Sequence, residues 1–198
     1  MNIACIVEGQ GEVKALPILL RRLHQWKTPT FSYPTIQEPI RVKRNQFINK
    51  NEEFNRYLQL ASMKCRDKGW ILILFDADDD CPAKLGNTIL TRAQECVPHR
   101  SISVVLANRE FEAWFIASAK SLDGKNNFTF DEEKETIIAE EPRDAKGWIK
   151  KHMSTNSYGE TTDQAIFTKE MDLQQAFDNS RSFRKLCSEW EKQINKLS

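Results

Sequence analysis

Short apolar runs alternate along the chain with longer stretches whose apolar residues recur at helical spacing. Asn2 to Val7 is a continuous apolar run closed by Glu8-Gly9, the pattern of a buried strand. Leu16, Leu19, Leu20 and Leu23 then form a helical stripe, with Pro17 tolerable near the first turn. Thr35 to Val42 predicts a second strand, and the prolines at its margins place it near a sheet edge. Phe54, Leu58, Ala61 and Cys65 mark a second helix, and Ile71 to Phe75 a third strand that runs abruptly into aspartates. Ile89 to Ala93 belongs to another helix, and Ile102 to Leu106 is again an apolar strand.

Strand and helix thus alternate four times. This predicts an α/β fold with a central, largely parallel sheet and helices on both faces. Residues 1–130 are expected to hold the α/β domain. Residues 131–198 are polar, helical in period and poor in strands, and are expected to form a helical extension packed on the same core. No internal repeat and no Gly/Ser linker interrupts the chain.

Composition narrows the class. The 198 residues are 40% hydrophobic and 29% charged with 7 Gly and 7 Pro, which excludes collagen-like and disordered chains. The longest apolar stretch, near Trp70 to Phe75, is far short of the about 20 residues a membrane span needs, so no membrane association is expected. The first strand reaches Glu8 before a secretory apolar segment develops, so no signal peptide is expected. Five cysteines without a CxxC pair read as reduced thiols, and a cytoplasmic protein is the expectation.

The net charge of +1 conceals an uneven distribution. Residues 1–70 carry 12 Lys/Arg against 6 Asp/Glu, residues 71–145 carry 8 against 15, and residues 146–198 carry 9 against 7. An acidic middle between basic ends suits a site where a cation and an anionic polymer meet; uneven surface charge is the plainer reading.

The acids stand at strand ends. The first strand leads into Glu8-Gly9-Gln10-Gly11-Glu12, the third into Asp76-Ala77-Asp78-Asp79-Asp80, and the fourth through Asn108-Arg109 into Glu110-Phe111-Glu112. In a doubly wound sheet, all three clusters converge at one edge, where such folds bind ligands. Two carboxylates 4 Å apart repel by about 4 kcal/mol at an effective dielectric near 20, so the cluster needs protons, cationic side chains or a metal. Hard oxygen ligands favour Mg²⁺, Mn²⁺ or Ca²⁺ over zinc. Asp79 and Asp80 also suit capping of the next helix, and Glu12 suits the positive end of the helix it opens. Glu110 and Glu112 flank the Phe111, Trp114, Phe115 and Ser118 face of an expected helix beginning at Glu110, and either can lean toward the crevice.

A Glu-Gly at the first strand end with an Asp-x-Asp at a later one resembles the TOPRIM fold of topoisomerases, primases and related nucleases. The match is closer to a family of small stand-alone TOPRIM-like bacterial proteins, the domain of unknown function 4276. The opening motif is Val7-Glu8-Gly9-Gln10-Gly11-Glu12-Val13 with Leu16-Pro17-Ile18-Leu19-Leu20-Arg21-Arg22. The central one is Asp76-Ala77-Asp78-Asp79-Asp80-Cys81-Pro82 with Leu85-Gly86, and the third is Asn108-Arg109-Glu110-Phe111-Glu112-Ala113-Trp114-Phe115. Ala145-Lys146-Gly147-Trp148, Tyr158 to Gln164 and Ser180 to Cys187 extend the resemblance over nearly the whole chain.

The resemblance implies a Mg²⁺- or Mn²⁺-dependent nuclease acting on DNA or RNA, the effector of an ATPase-coupled anti-phage defence system, with the ATPase encoded separately. A homo-oligomer is compatible with it. Glu8, Asp76, Asp78 and Asp80 are the expected metal ligands. Glu12, Glu110 and Glu112 are expected to complete a second metal site or supply a general base beside Glu8, Asp76 and Asp78. Lys146, Lys150, Lys151, Arg181, Arg184 and Lys185 are candidates for holding phosphates, each equally readable as a solvated helix face. Trp148 and Tyr158 suit base stacking or the core. His24, His99 and His152 have no ligand or triad spacing. The alternative is a non-hydrolytic subunit that regulates, or is docked by, an ATPase. A haloacid-dehalogenase-type phosphatase also starts from Asp-x-Asp, but wants Thr or Val where Asp80 stands.

Overall fold

The apolar runs are two-sided. Successive residues of a strand leave the sheet on opposite faces, and in this chain both faces are covered by helices. The computed structural model describes residues 1–197. In chain order the elements are β1 (Asn2–Val7), α1 (Gln10–Lys27), β2 (Thr35–Ile36), β3 (Ile40–Arg41), α2 (Arg44–Asn49), α3 (Asn51–Cys65), β4 (Gly69–Asp76) and α4 (Pro82–Cys96). There follow β5 (Ser101–Ala107), α5 (Ala113–Ala117), α6 (Ala119–Leu122), α7 (Ala145–His152), α8 (Asp163–Glu170), α9 (Leu173–Asn179) and α10 (Arg181–Leu197).

The sheet runs β2-β1-β4-β5, with β3 also paired to β1, and every pairing is parallel. The expected strand over 35–42 is broken in two. Asn2 faces Thr35 but Ile6 faces Ile40, so the outer strand takes five steps where β1 takes four. The break contains Pro39, which has no N–H to give the ladder; the strand therefore bulges at this edge.

On one face Ala4, Ile6, Ile71, Ile73, Phe75 and Leu106 pack beneath α2, α3 and α4 with Phe47, Phe54, Leu58 and Ile89. On the other, Ile3, Cys5, Val7, Leu72, Leu74 and Val105 join α1, α5 and the helices of the last third of the chain. One apolar cluster thus runs from Ile3 to Ile194. In α10, Phe183, Leu186, Cys187, Trp190 and Ile194 recur at helical spacing and are buried. Trp190 Nε1 donates to Thr28 Oγ1 at 2.9 Å, and Ser103 Oγ on β5 donates to Glu189 Oε2 at 2.6 Å.

The helix expected from Glu110 begins instead at Ala113 and stops after five residues. Ser118 Oγ, at the break before α6, donates back to the carbonyls of Trp114 and Phe115 at 3.1 and 3.3 Å, competing with continuation of the helix. The segment 131–144 has no regular element yet is fixed by Glu140. Glu140 Oε1 accepts from Ser180 Oγ at 2.7 Å and from Ser182 N and Oγ at 2.8 and 2.9 Å, while Oε2 accepts from Asn108 Nδ2 at 3.1 Å. A carboxylate from a distant loop therefore satisfies the free amide at the start of α10. Burial would raise its pKa, but these hydrogen bonds outweigh it and hold the carboxyl below its ordinary value. Glu140→Ala should destabilise the chain by about 1–3 kcal/mol, the cost of stripping partners from half-buried donors. Chemical denaturation checks this, and an unchanged midpoint would show that the loop does not anchor α10.

Candidate functional site

Parallel strands all end on the same side of the sheet, so acids placed after β1, β4 and β5 must meet. They do. Glu8, Gly9, Glu12, Asp76, Asp78 and Glu110 line one cavity of about 280 Å³, joined by Lys146 and Glu160 from the C-terminal third.

The strand ends are held together beyond their last ladder residues. Ala77 N donates to Ala107 O, and Asp78 N to Arg109 O, both at 2.9 Å. Asp78 and Arg109 have φ of 49° and 70°, in the left-handed region that non-glycine residues seldom occupy. The paired turns send the two chains away from the sheet, and strain of this kind, about 1–3 kcal/mol per residue, persists where the surroundings enforce it. Arg109 enforces it here, its Nη1 donating to Asp78 O at 3.1 Å and to Asp79 Oδ1 at 2.8 Å.

Each acid has its own surroundings. Asp76 Oδ1 accepts the Phe111 amide at 2.8 Å. Glu12, in the first turn of α1, reaches back to its start, its carboxylate accepting the Gly9 amide. Gln164 Nε2 lies 3.5 Å from Glu12 Oε1 and 3.3 Å from Glu112 Oε1. A side chain at Gly11 is sterically impossible: a Cβ there would fall 1.9 Å from Gln164 Oε1. The missing side chain lets α8 close onto α1 and delivers Gln164 to both carboxylates.

Glu112 lies behind the cavity, fully buried, and Tyr158 Oη donates to its Oε1 at 2.9 Å. Its Oε2 has no hydrogen-bond partner among the described residues. Glu110 Oε2 accepts the Lys146 amide at 3.0 Å, and Lys146 Nζ lies 3.1 Å from Glu160 and 3.8 Å from Glu110.

The charges perturb one another as expected. Burial first, then the neighbouring carboxylates, raise Asp76 well above the ordinary range; burial also raises Glu8 and Glu12. Burial pushes Glu112 up to about 7 despite Lys146 and the Tyr158 hydrogen bond. Burial alone would lower Lys146, but Glu112, Asp76 and Glu160 outweigh it and fix the ammonium as a cation.

The other candidates fall elsewhere. Asp80 is ion-paired to the buried Arg44, which also reaches Asp78 at 3.3 Å, and Asp80 does not line the cavity. Asp79 is held by Arg109 at 2.8 Å and faces Arg143 at 3.5 Å. Lys150 and Lys151 are exposed on α7, away from the acids just named. Arg184 Nη1 donates to the Phe177 and Asp178 carbonyls at 2.7 and 2.9 Å near the end of α9, which occupies it structurally. Arg181 and Lys185 border a second cavity beside β5. Trp148 stacks on His152 at 3.7 Å, and His152 hydrogen-bonds Glu135. His24 packs beside Thr28 and Tyr33, and His99 beside Ser62.

Sequence reading missed Arg44, Glu160 and Gln164 as site residues, and placed Lys146 on a nucleic-acid-binding face. Arg44 carries no signal, being one arginine in a basic stretch. Glu160 and Gln164 lie inside the Tyr158 to Gln164 motif, so that motif was the signal.

Among the described residues, no three carboxylate, imidazole or thiol side chains form a ready-made ion cage. None of the helices among the described residues is long and apolar enough to cross a membrane. A family model described as "Domain of unknown function (DUF4276)" matches residues 7–191. No curated protein and no solved structure matches the chain.

Between pH 4.5 and about 7, the folded protein keeps a proton on Glu112 that the unfolded chain has released. Stability therefore falls as pH rises through this window, because the native state there binds more protons. Glu8, Glu12 and Asp76, also raised, add to the same slope. Glu112→Gln keeps the Tyr158 acceptor and removes the titration, so it should flatten the slope and melt higher than wild type above pH 7. Thermal melts across pH 4.5–8 check this, and parallel curves would refute it.

Proposed function

The chain belongs to the family of domain of unknown function 4276, and from that premise we propose that it is a TOPRIM-type nuclease dependent on Mg²⁺ or Mn²⁺. The observation that carries the reading is the cavity of strand-end acids itself. Six carboxylates, from Glu8, Glu12, Asp76, Asp78, Glu110 and Glu160, line it with one ammonium. So many acids in one small cavity call for protons or added cationic charge.

The donor chemistry suits a hard divalent ion. The cavity offers carboxylate oxygens, several held by burial in a form that resists ionisation. Glu8, Asp76 and Asp78 would hold it, Asp78 exchanging its Arg44 contact for the ion. Bound there, the ion would neutralise phosphate charge and acidify an attacking water.

The chain's own groups supply the rest. Glu8 follows β1 and lines the cavity, where its carboxylate would accept the proton of that water. Lys146 Nζ offers a fixed positive charge to a phosphate oxygen, held between Glu110 and Glu160. The Phe111 amide fixes the orientation of Asp76, and Tyr158 with Gln164 fixes Glu112. Arg44 and Arg109 keep Asp80 and Asp79 out of the cavity.

One observation favours a second reading. Arg44 and Lys146 already neutralise part of the cluster, and the acids do not stand ready as a three-ligand cage. That arrangement also suits a non-hydrolytic subunit docked to a separately encoded ATPase.

Single-turnover cleavage of supercoiled plasmid and of structured RNA, with and without Mn²⁺, separates the two readings. Glu8→Gln should abolish cleavage, by at least about a hundredfold from loss of the base, while nucleic-acid binding in calcium persists. Cleavage by Glu8→Gln at the wild-type rate would displace the active site from this cavity. Millimolar Mg²⁺ should also raise the melting temperature of wild type and not of Asp76→Ala, since a ligand bound by the native state stabilises it. A wild type that neither cleaves nor responds to either ion would leave the non-hydrolytic reading.

A further inference from the structure

β5 is the last strand of the sheet, and a cavity of about 590 Å³ opens beside it, between α4 and the start of α10. Val104, Leu106 and Leu90 make its apolar side, while Asn108, Arg181 and Lys185 supply polar groups. Its size and mixed lining are those of a site for a small organic group.

Two features direct its use. The first is Gly86, the fifth residue of α4, which borders the groove. Glycine is the poorest helix former after proline, yet no atom lies within 4 Å of where its Cβ would stand. A larger side chain would fit, at the border of the groove, and would narrow it. The second is the wall shared with the acid cavity. Asn108 lines the groove and Glu110 lines the acid cavity, two residues on, so their Cα atoms are at most about 7 Å apart. The Asp78–Cys81 segment bridges the same two cavities, Asp78 lining one and Cys81 the other.

We propose that this groove seats one unpaired nucleotide of a single-stranded nucleic acid, next along the strand from the phosphate in the acid cavity. The inference rests on the phosphodiester reading of that cavity. The base lies on the Val104, Leu106 and Leu90 surface beneath α4. Its phosphate meets Arg181, which has no ion pair among the described residues, and Lys185, which Glu189 holds at 2.6 Å. Glu140, the acid bordering the groove, spends its acceptors on Ser180, Ser182 and Asn108. A base within a duplex is stacked on both faces and cannot enter, so the site selects single strands.

Fluorescence anisotropy tests this with the full chain in calcium, using a labelled 12-nucleotide single strand and its duplex. Wild type should prefer the single strand. Gly86→Phe should weaken single-strand binding at least tenfold with an unchanged or higher melting temperature, while Gly86→Ala leaves binding intact. Arg181→Glu should weaken binding and lower the slope of log K against log salt by about one, the loss of one phosphate contact. Gly86→Phe binding as tightly as wild type overturns the proposal, as does equal affinity for duplex and single strand. Wild type binding neither probe also overturns it. Cleavage is a separate readout. Tight single-strand binding lost in Gly86→Phe, without any cleavage by wild type, would uphold the groove and sink the nuclease reading. Cleavage that Gly86→Phe retains along with binding would do the reverse.

Discussion

Mutual repulsion among carboxylates at the ends of three parallel strands is the constraint around which the rest of the molecule is arranged. A parallel sheet brings those ends together, and this chain places an acid at each. Left alone, such a cluster would splay the strand ends apart. It is held by a set of individually modest contacts: the Phe111 amide on Asp76, the Gly9 amide on Glu12, Tyr158 and Gln164 on Glu112, and the Arg44 and Lys146 cations. The elements carrying these groups are themselves fixed by burial on both faces of the sheet.

The last third of the chain completes that arrangement rather than merely covering it. Lys146 comes from the first turn of α7, Glu160 from the loop before α8, and Gln164 from α8 itself. Gly11 permits the approach, since any side chain there would collide with Gln164 and with the Glu160 carbonyl. On the far side, Glu140 ties the 131–144 segment to α10, and α10 rests on β5 through Glu189 and Ser103. The acid cavity and the groove beside β5 thus both draw on the middle of the chain and on its last third.

The shared wall gives the two cavities a common physical basis. Left-handed turns at Asp78 and Arg109 lift the β4 and β5 connections off the sheet, and the Arg109 guanidinium clips them together. Acids project to one side of these connections, and the apolar edge of β5 with the glycine of α4 lies on the other. A polymer with alternating charged and flat apolar parts suits such a pair of adjoining surfaces.

Periodicity and position made the sheet, its helical layers and the convergence of Glu8, Asp76, Asp78 and Glu110 legible before any coordinates. Strand pattern is local, and the parallel connection forces the carboxyl ends to one side. The break at Pro39 was half-visible, since the prolines marked an edge but not the change of register. The place of the cations could not be read. Arg44 and Lys146 reach the strand-end acids across 34 residues or more of sequence, through packing that no period records; Arg44 looked like an ordinary basic residue and Lys146 like a holder of phosphate. Packing also decided that Asp80 and Arg184 are engaged elsewhere, by an ion pair and by helix-end carbonyls. The sequence by itself therefore determined that acids following β1, β4 and β5 meet at one edge. Tertiary structure decided which of them are buried, neutralised or free to act, because desolvation and ion pairing depend on neighbours that only the folded chain supplies.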